Sequence, residues 1–217
     1  MYQPPQFRST DPAHARALMR AHPLASLVST DDTGFPVVSH LPLQLREVAG
    51  EPGGEQAGEL VLLGHCARAN PHWRYLAARP QALVTFLGPQ AYLSPAVYPD
   101  LARVPSWNYL AVHCRVEATL VEDAEGKDSL LKALIGQHEP PYADQWRALP
   151  DDYTGKMLQA IVGFELRVTE LQCTLKLNQH RPESHAALYA RYRGGDADAQ
   201  ALAQWMERLG MVPAKGD

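Results

Sequence analysis

Apolar and polar positions along the chain follow two different periods. Leu24 to Thr30 is apolar and β-prone, Asp31-Asp32-Thr33-Gly34 is a turn cluster, and Phe35 to Leu45 resumes with Val37, Val38, Leu41, Leu43 and Leu45. This pattern predicts two antiparallel strands. Pro36 and Pro42 each remove a ladder donor, so the second strand belongs at a sheet edge or carries a bulge. Glu59 to Gly64 and Gln81 to Leu87 read as further strands, the latter closed by Gly88-Pro89, with a short one at Ala91 to Leu93. In the longest β-like stretch, Trp107 to Val121, the residues Val112, Cys114, Val116, Ala118 and Leu120 alternate with polar positions, and Ile161 to Val168 alternates again.

Helical signals lie between and after these strands. Asp11-Pro12 offers an N-cap and an N1 proline to a short helix carrying Leu18 and Met19. Asn70-Pro71 does the same for a helix with Trp73, Leu76 and Ala77, which stops at Pro80. The period turns helical from Ala124 to Leu149, and Pro182 to Leu209 reads as two helices broken at Gly194-Gly195. Glu47 to Gly58, rich in Gly and Glu, reads as a loop. Strands in the first two thirds with helices inserted and appended predict an α+β protein built on an antiparallel barrel or sandwich.

Composition narrows the function. The chain has 217 residues with 20 Lys+Arg against 24 Asp+Glu, a net charge of −4, so a surface that holds nucleic acid by charge alone is not expected. No run reaches the ~18 apolar residues of a membrane span and the N-terminus has no secretory pattern, which predicts a cytoplasmic protein without a membrane partner. Cys66, Cys114 and Cys173 are too widely spaced for a zinc site and odd in number for a disulfide framework, so no metal is expected. Dinucleotide, Walker A, nucleophile-elbow and His-Glu-x-x-His patterns are absent from the sequence.

Four segments hold the candidate chemistry. Gly64-His65-Cys66-Ala67-Arg68-Ala69-Asn70-Pro71-His72-Trp73-Arg74 places cations around a capped helix start, a setting that suits a phosphate or a plain cap. Ser39-His40-Leu41-Pro42 offers a hydroxyl and an imidazole on the proline-interrupted strand. Pro105-Ser106-Trp107-Asn108-Tyr109 sets two aromatics around an amide, suited to a ring system or to core packing. Lys176-Leu177-Asn178-Gln179-His180-Arg181, with Arg191 and Arg193 downstream, is locally basic.

Taken in order, these segments resemble the PaiB-type family of FMN-binding negative transcriptional regulators. The likeness starts at Met1-Tyr2-Gln3-Pro4-Pro5-Gln6-Phe7, runs through Ser39-His40-Leu41-Pro42-Leu43, Gly64-His65, Asn70-Pro71-His72-Trp73 and Phe86-Leu87-Gly88-Pro89-Gln90-Ala91-Tyr92-Leu93-Ser94, continues through Val104-Pro105-Ser106-Trp107-Asn108-Tyr109 and Ile161-Val162-Gly163-Phe164, and ends at Lys176-Leu177-Asn178-Gln179. The resemblance implies an antiparallel split β-barrel of the pyridoxamine-phosphate-oxidase-like, FMN-binding class with inserted and C-terminal helices. Residues 1–182 would form the FMN-binding domain, with inserted helices at about 124–149, and 183–217 a helical extension. It further implies a homodimer with FMN at the subunit interface. His65, Arg68 and Asn70 would hold the phosphate and ribityl end, with Ser39, His40 and Leu41 along the ring. Trp107, Asn108 and Tyr109 would form the far wall, and Lys176 and Gln179 would close the site. Where the family commonly shows Lys-Leu-Ser-Gln-Asn, this chain has Asn178 and His180.

Three functions fit this reading: a DNA-binding repressor, an FMN-dependent oxidoreductase drawing on NAD(P)H, or a flavin sensor without turnover. His40 and His113 are the only acid–base candidates.

Overall fold

The computed structural model of the protein describes residues 1–48, 58–100 and 102–212. The loop expected over Glu47 to Gly58 lies, for residues 49–57, outside the described residues. In chain order the elements are β1 (Arg8–Ser9), α1 (Pro12–Ala21), β2 (Leu24–Thr30), β3 (Pro36–Pro42), β4 (Gln44–Val48), β5 (Glu59–Ala67), α2 (His72–Ala78), β6 (Gln81–Leu93), β7 (Ser106–Val121), α3 (Ala124–His138), α4 (Tyr142–Ala148), α5 (Asp151–Gln159), β8 (Ile161–Lys176), α6 (His185–Arg193) and α7 (Ala197–Arg208). Among the described residues the strands form one sheet in the order β3-β2-β6-β7-β8-β5-β4, with β1 paired to β8. No helix among them is long and apolar enough to cross a membrane.

The proline-bearing β3 is the terminal strand of that order, as its missing donors require. It runs antiparallel to β2 in the register Ser26↔His40 and Val28↔Val38. The single strand expected over Phe35 to Leu45 is two. Pro42 ends the pairing with β2, Leu43 sends its N–H to the carbonyl of Pro23 at 2.8 Å, and β4 then pairs with β5.

Three strands run longer than their local patterns suggest. β5 continues through His65, Cys66 and Ala67 because β8 supplies partners Gly163, Val162 and Ile161. β6 passes straight through Gly88-Pro89: a Cβ on Gly88 would come 3.0 Å from Leu18 and 3.2 Å from the Leu110 carbonyl, so glycine there serves close packing rather than a turn. β8 extends to Lys176. The helical stretch expected over 124–149 is α3 and α4, parted at Pro140-Pro141, and a further helix, α5, follows Pro150.

By internal contacts the chain forms two compact units, one of residues 1–18, 87–112 and 172–217, the other of residues 19–86 and 113–171. In the first, Leu110, Val112, Leu177, Leu188, Tyr192, Leu202 and Met206 are buried. In the second, Leu27, Leu62, Val84, Phe86, Val116, Val162, Phe164 and Leu166 are, each fully buried large side chain contributing about 1.5–3 kcal/mol. Leu130 of α3 joins Val61 and Leu63 of β5, which fixes the inserted helix to the sheet.

Candidate functional site

The candidate residues divide between the two units: Ser39, His40, Leu41, His65, Arg68 and Asn70 in the second, Trp107, Asn108, Tyr109, Lys176 and Gln179 in the first.

In the second unit, the alternation of β3 turns Ser39 away from the exposed face that carries Val38 and His40. Asn70 Nδ2 donates to Ser39 Oγ at 3.0 Å, and its Oδ1 accepts the N–H of His72 at 3.0 Å, so one amide joins the start of α2 to the edge strand. His72, only 2% exposed, stands between two hydroxyls: its Nδ1 is 2.9 Å from Ser39 Oγ and its Nε2 2.9 Å from Ser29 Oγ. A neutral imidazole has one N–H and one lone pair, so one serine donates to it and the other accepts. Burial pushes the His72 pKa down, which keeps it in this neutral form.

The other members of this group have their own partners. His40 is exposed, with Nδ1 3.1 Å from Ser26 Oγ across the strand pair. His65 is half-buried on β5, its pKa lowered by burial. A Cβ on its neighbour Gly64 would meet the Leu43 side chain at 2.5 Å and the Phe164 ring at 2.9 Å and force them to shift. Arg68 donates from Nε to the Gln159 carbonyl at 2.9 Å and from Nη2 to the Ile161 carbonyl at 3.3 Å, while Nη1 is 3.8 Å from Glu122. Its guanidinium thus covers the carbonyl end of α5. Arg68 and Arg74 also lie 5.7 and 5.2 Å from the centre of the Trp73 ring.

In the first unit, Trp107 and Asn108 face opposite sides of β7. Trp107 is 47% exposed, donates from Nε1 to Gln90 Oε1 at 3.1 Å, and meets Tyr92 edge to face at 6.2 Å. Asn108 is fully buried and donates from Nδ2 to the Tyr192 hydroxyl at 3.0 Å. Lys176 donates to Ser106 Oγ at 2.8 Å and lies 5.8 Å from the centre of the Tyr109 ring. Gln179 is spent on its own turn, accepting from Leu177 N–H at 3.0 Å and donating to the Leu175 carbonyl.

Asn178, the departure in that segment, has φ 69°, a left-handed backbone that asparagine tolerates better than serine. Its amide donates to Ser184 Oγ at 2.8 Å and accepts from the Tyr98 hydroxyl at 3.2 Å. His180 packs edge to face on Phe7 at 5.4 Å.

Sequence reasoning did not single out His72 with Ser29, or Trp107 with Gln90 and Tyr92, because these partners are distant in the chain and meet only through strand register or helix packing. The helix-facing position of His72, two residues after a capping asparagine, was the available signal.

A family model described as "Putative FMN-binding domain" matches residues 1–170. The protein named "Protease synthase and sporulation protein PAI 2" of Bacillus subtilis is 31% identical over 187 residues, 85% of this chain and 84% of its own. The chain belongs to the PaiB-type family of FMN-binding-domain proteins. A Saccharomyces cerevisiae protein, YKL070W, is 29% identical over 64% of this PaiB-type chain and 90% of its own. Two solved structures share the fold: the flavocytochrome Anf3 of Azotobacter vinelandii, at 18% identity and TM-score 0.58 over 78% of this chain and 69% of that one, and an FAD and heme binding protein of Mycobacterium smegmatis, at 20% identity and TM-score 0.58 over 78% and 73%. The α+β, antiparallel split-barrel class expected of a PaiB-type chain is therefore the class observed.

Proposed function

We propose that the protein binds FMN as a homodimer, with the flavin at the subunit interface, and acts as a negative transcriptional regulator. The observation that carries this reading is the match of an FMN-binding family model to residues 1–170.

The polar groups of the second unit suit the cofactor. FMN presents a ring with hydrogen-bonding edges and a phosphate tail. Ser39 and Asn70, locked together and backed by buried His72, form a preorganised polar edge of the kind that orients such a ring, with His40 and Leu41 beside it on β3. Arg68 and Arg74 supply the cationic side for the phosphate, and His65 a neutral imidazole. Trp107 and Tyr109 are the aromatic walls in this reading, whereas Asn108, Lys176 and Gln179 already serve other groups of their own unit. When bound, FMN supplies reversible electron acceptance; the chain's residues bind and orient it.

Exposed apolar side chains support the dimer. Tyr92, Trp107, Leu87 and Val104 of the first unit, and Leu24, Phe35 and Val38 of the second, are open to solvent and available to a partner surface. Arg181, Arg191 and Arg193 give the chain a locally basic segment for DNA despite its net charge of −4.

The test is direct. Purified protein titrated with FMN should turn yellow with one flavin per chain, elute as a dimer, and shift a promoter fragment with an affinity that falls as salt rises. Protein that takes up no FMN refutes the reading, and anaerobic bleaching of the flavin by NADH or NADPH moves it from regulator to oxidoreductase.

A further inference from the structure

The unit of residues 1–18, 87–112 and 172–217 contains a cavity of about 290 Å³. It lies at the lower end of the ~300–1,000 Å³ of small-molecule sites, room for a one-ring ligand and not for a three-ring flavin with its tail. Phe7, Leu93 and Tyr98 give it apolar walls, and Arg103, Lys176 and Arg181 line it without any lining carboxylate.

The charges differ in how far they are already balanced. Arg103 donates to Asp100 at 2.9 Å and lies 3.8 Å from Glu183. Lys176 has the Ser106 hydroxyl and the Tyr109 ring but no carboxylate within ion-pair distance, and Arg181 has none either among the described residues. Burial draws the Lys176 pKa down, the mark of a cation short of a counter-charge.

Two of the lining residues also carry unsatisfied polar atoms. Asn108 is completely buried and lines it, and while its Nδ2 is bonded to Tyr192, its Oδ1 has no partner. Turning the amide over leaves the same vacancy with an N–H in place of an oxygen. Arg103 Nε is buried and unpartnered as well. Buried polar groups in native proteins are nearly always bonded, so these two lining residues offer a ligand groups still to be paired.

We infer that this cavity binds a small ring-bearing carboxylate, with its carboxylate at Lys176 and Arg181 and a hydroxyl or amino substituent on Asn108. Lys176 also lies against Tyr109, but binding in this cavity does not rest on the flavin reading.

The probe is 4-hydroxybenzoate, followed by calorimetric titration of the full chain with and without FMN, and 4-hydroxybenzyl alcohol is the uncharged control. One 4-hydroxybenzoate per chain is expected, with the alcohol at least about tenfold weaker. Arg181→Gln and Lys176→Gln should each raise Kd about tenfold or more. Arg181 is only half-buried and its hydrogen bonds run through its backbone, which Arg181→Gln keeps, so its variant should fold even where an Asn108 variant does not. Equal binding of acid and alcohol, no binding up to about 10 mM, or a Kd unmoved by both substitutions overturns the inference. Displacement of the probe by FMN also overturns it, by assigning the cavity to the flavin. Probe binding by a protein that takes up no FMN sustains it while removing the flavin reading alone.

Discussion

Ser39 Oγ on the edge strand β3 lies 2.9 Å from Nδ1 of His72 on α2, a ring whose other nitrogen is held by Ser29. The contact ties the sheet's terminal strand to the helix that follows β5, and protonation of the ring would make both nitrogens donors and force the donating serine to turn its hydrogen away. His72, His65 and His113 are all held below their ordinary pKa of 6.5 by burial. Below about pH 6.5 the unfolded chain therefore binds more protons than the folded one, down to the lowered folded-state values, and stability falls with acidification across that window. The urea midpoint should hold steady from about pH 8 to 7 and drop by about pH 5.5, with a smaller drop in His72→Gln. A midpoint indifferent to this acidification would contradict the neutral-imidazole arrangement.

Arg68 should matter for both stability and flavin. Its donations to the last carbonyl of α5 and the first of β8 are half exposed, so Arg68→Ala should cost about 1 kcal/mol in urea unfolding. FMN affinity should fall by a further 1.5–3 kcal/mol, roughly the scale of a charged hydrogen bond to phosphate. An affinity equal to that of the unaltered protein removes Arg68 from the flavin site and leaves it a helix-end cap.

Local pattern revealed the elements whose signals lie within the segment. Leu24–Thr30 is apolar and β-prone and ends at a turn cluster, and Asp196 after Gly194-Gly195 starts α7 by accepting the Ala199 N–H at 2.9 Å. Longer-range effects were hidden. Gly88-Pro89 reads as a stop but is strand, because Leu18 and Leu110 fill the space a side chain would need. Likewise β8 carries β5 past its local pattern, and β1 pairs with β8 beyond its own. The Ser39–Asn70 bond joins positions 31 residues apart, which no spacing rule within either segment anticipates.

Asn178 tests whether backbone or side chain explains the departure from the family pattern. Asn178→Gly keeps the left-handed conformation but loses two side-chain hydrogen bonds, at about 1–3 kcal/mol. Asn178→Ala and Asn178→Ser should each be less stable than the glycine variant by about 1 kcal/mol, the cost of a Cβ at positive φ. Equal stability of the glycine and alanine variants would show that φ is not what selects asparagine.

The thiols provide a probe of packing that is independent of any ligand. Cys66, Cys114 and Cys173 are all buried, and burial raises the thiol pKa of Cys66 and pushes that of Cys173 up to about 12. Thiolate is the reactive form, so both inaccessibility and protonation protect these residues. A disulfide reagent at about pH 8 should label none of the three within minutes in native protein and all three in urea. Fast labelling of Cys173 without denaturant would mean that β1 detaches from β8, since Ser9 pairs with Cys173 in that ladder. Slow labelling that accelerates in step with low urea would instead measure the free energy of that local opening.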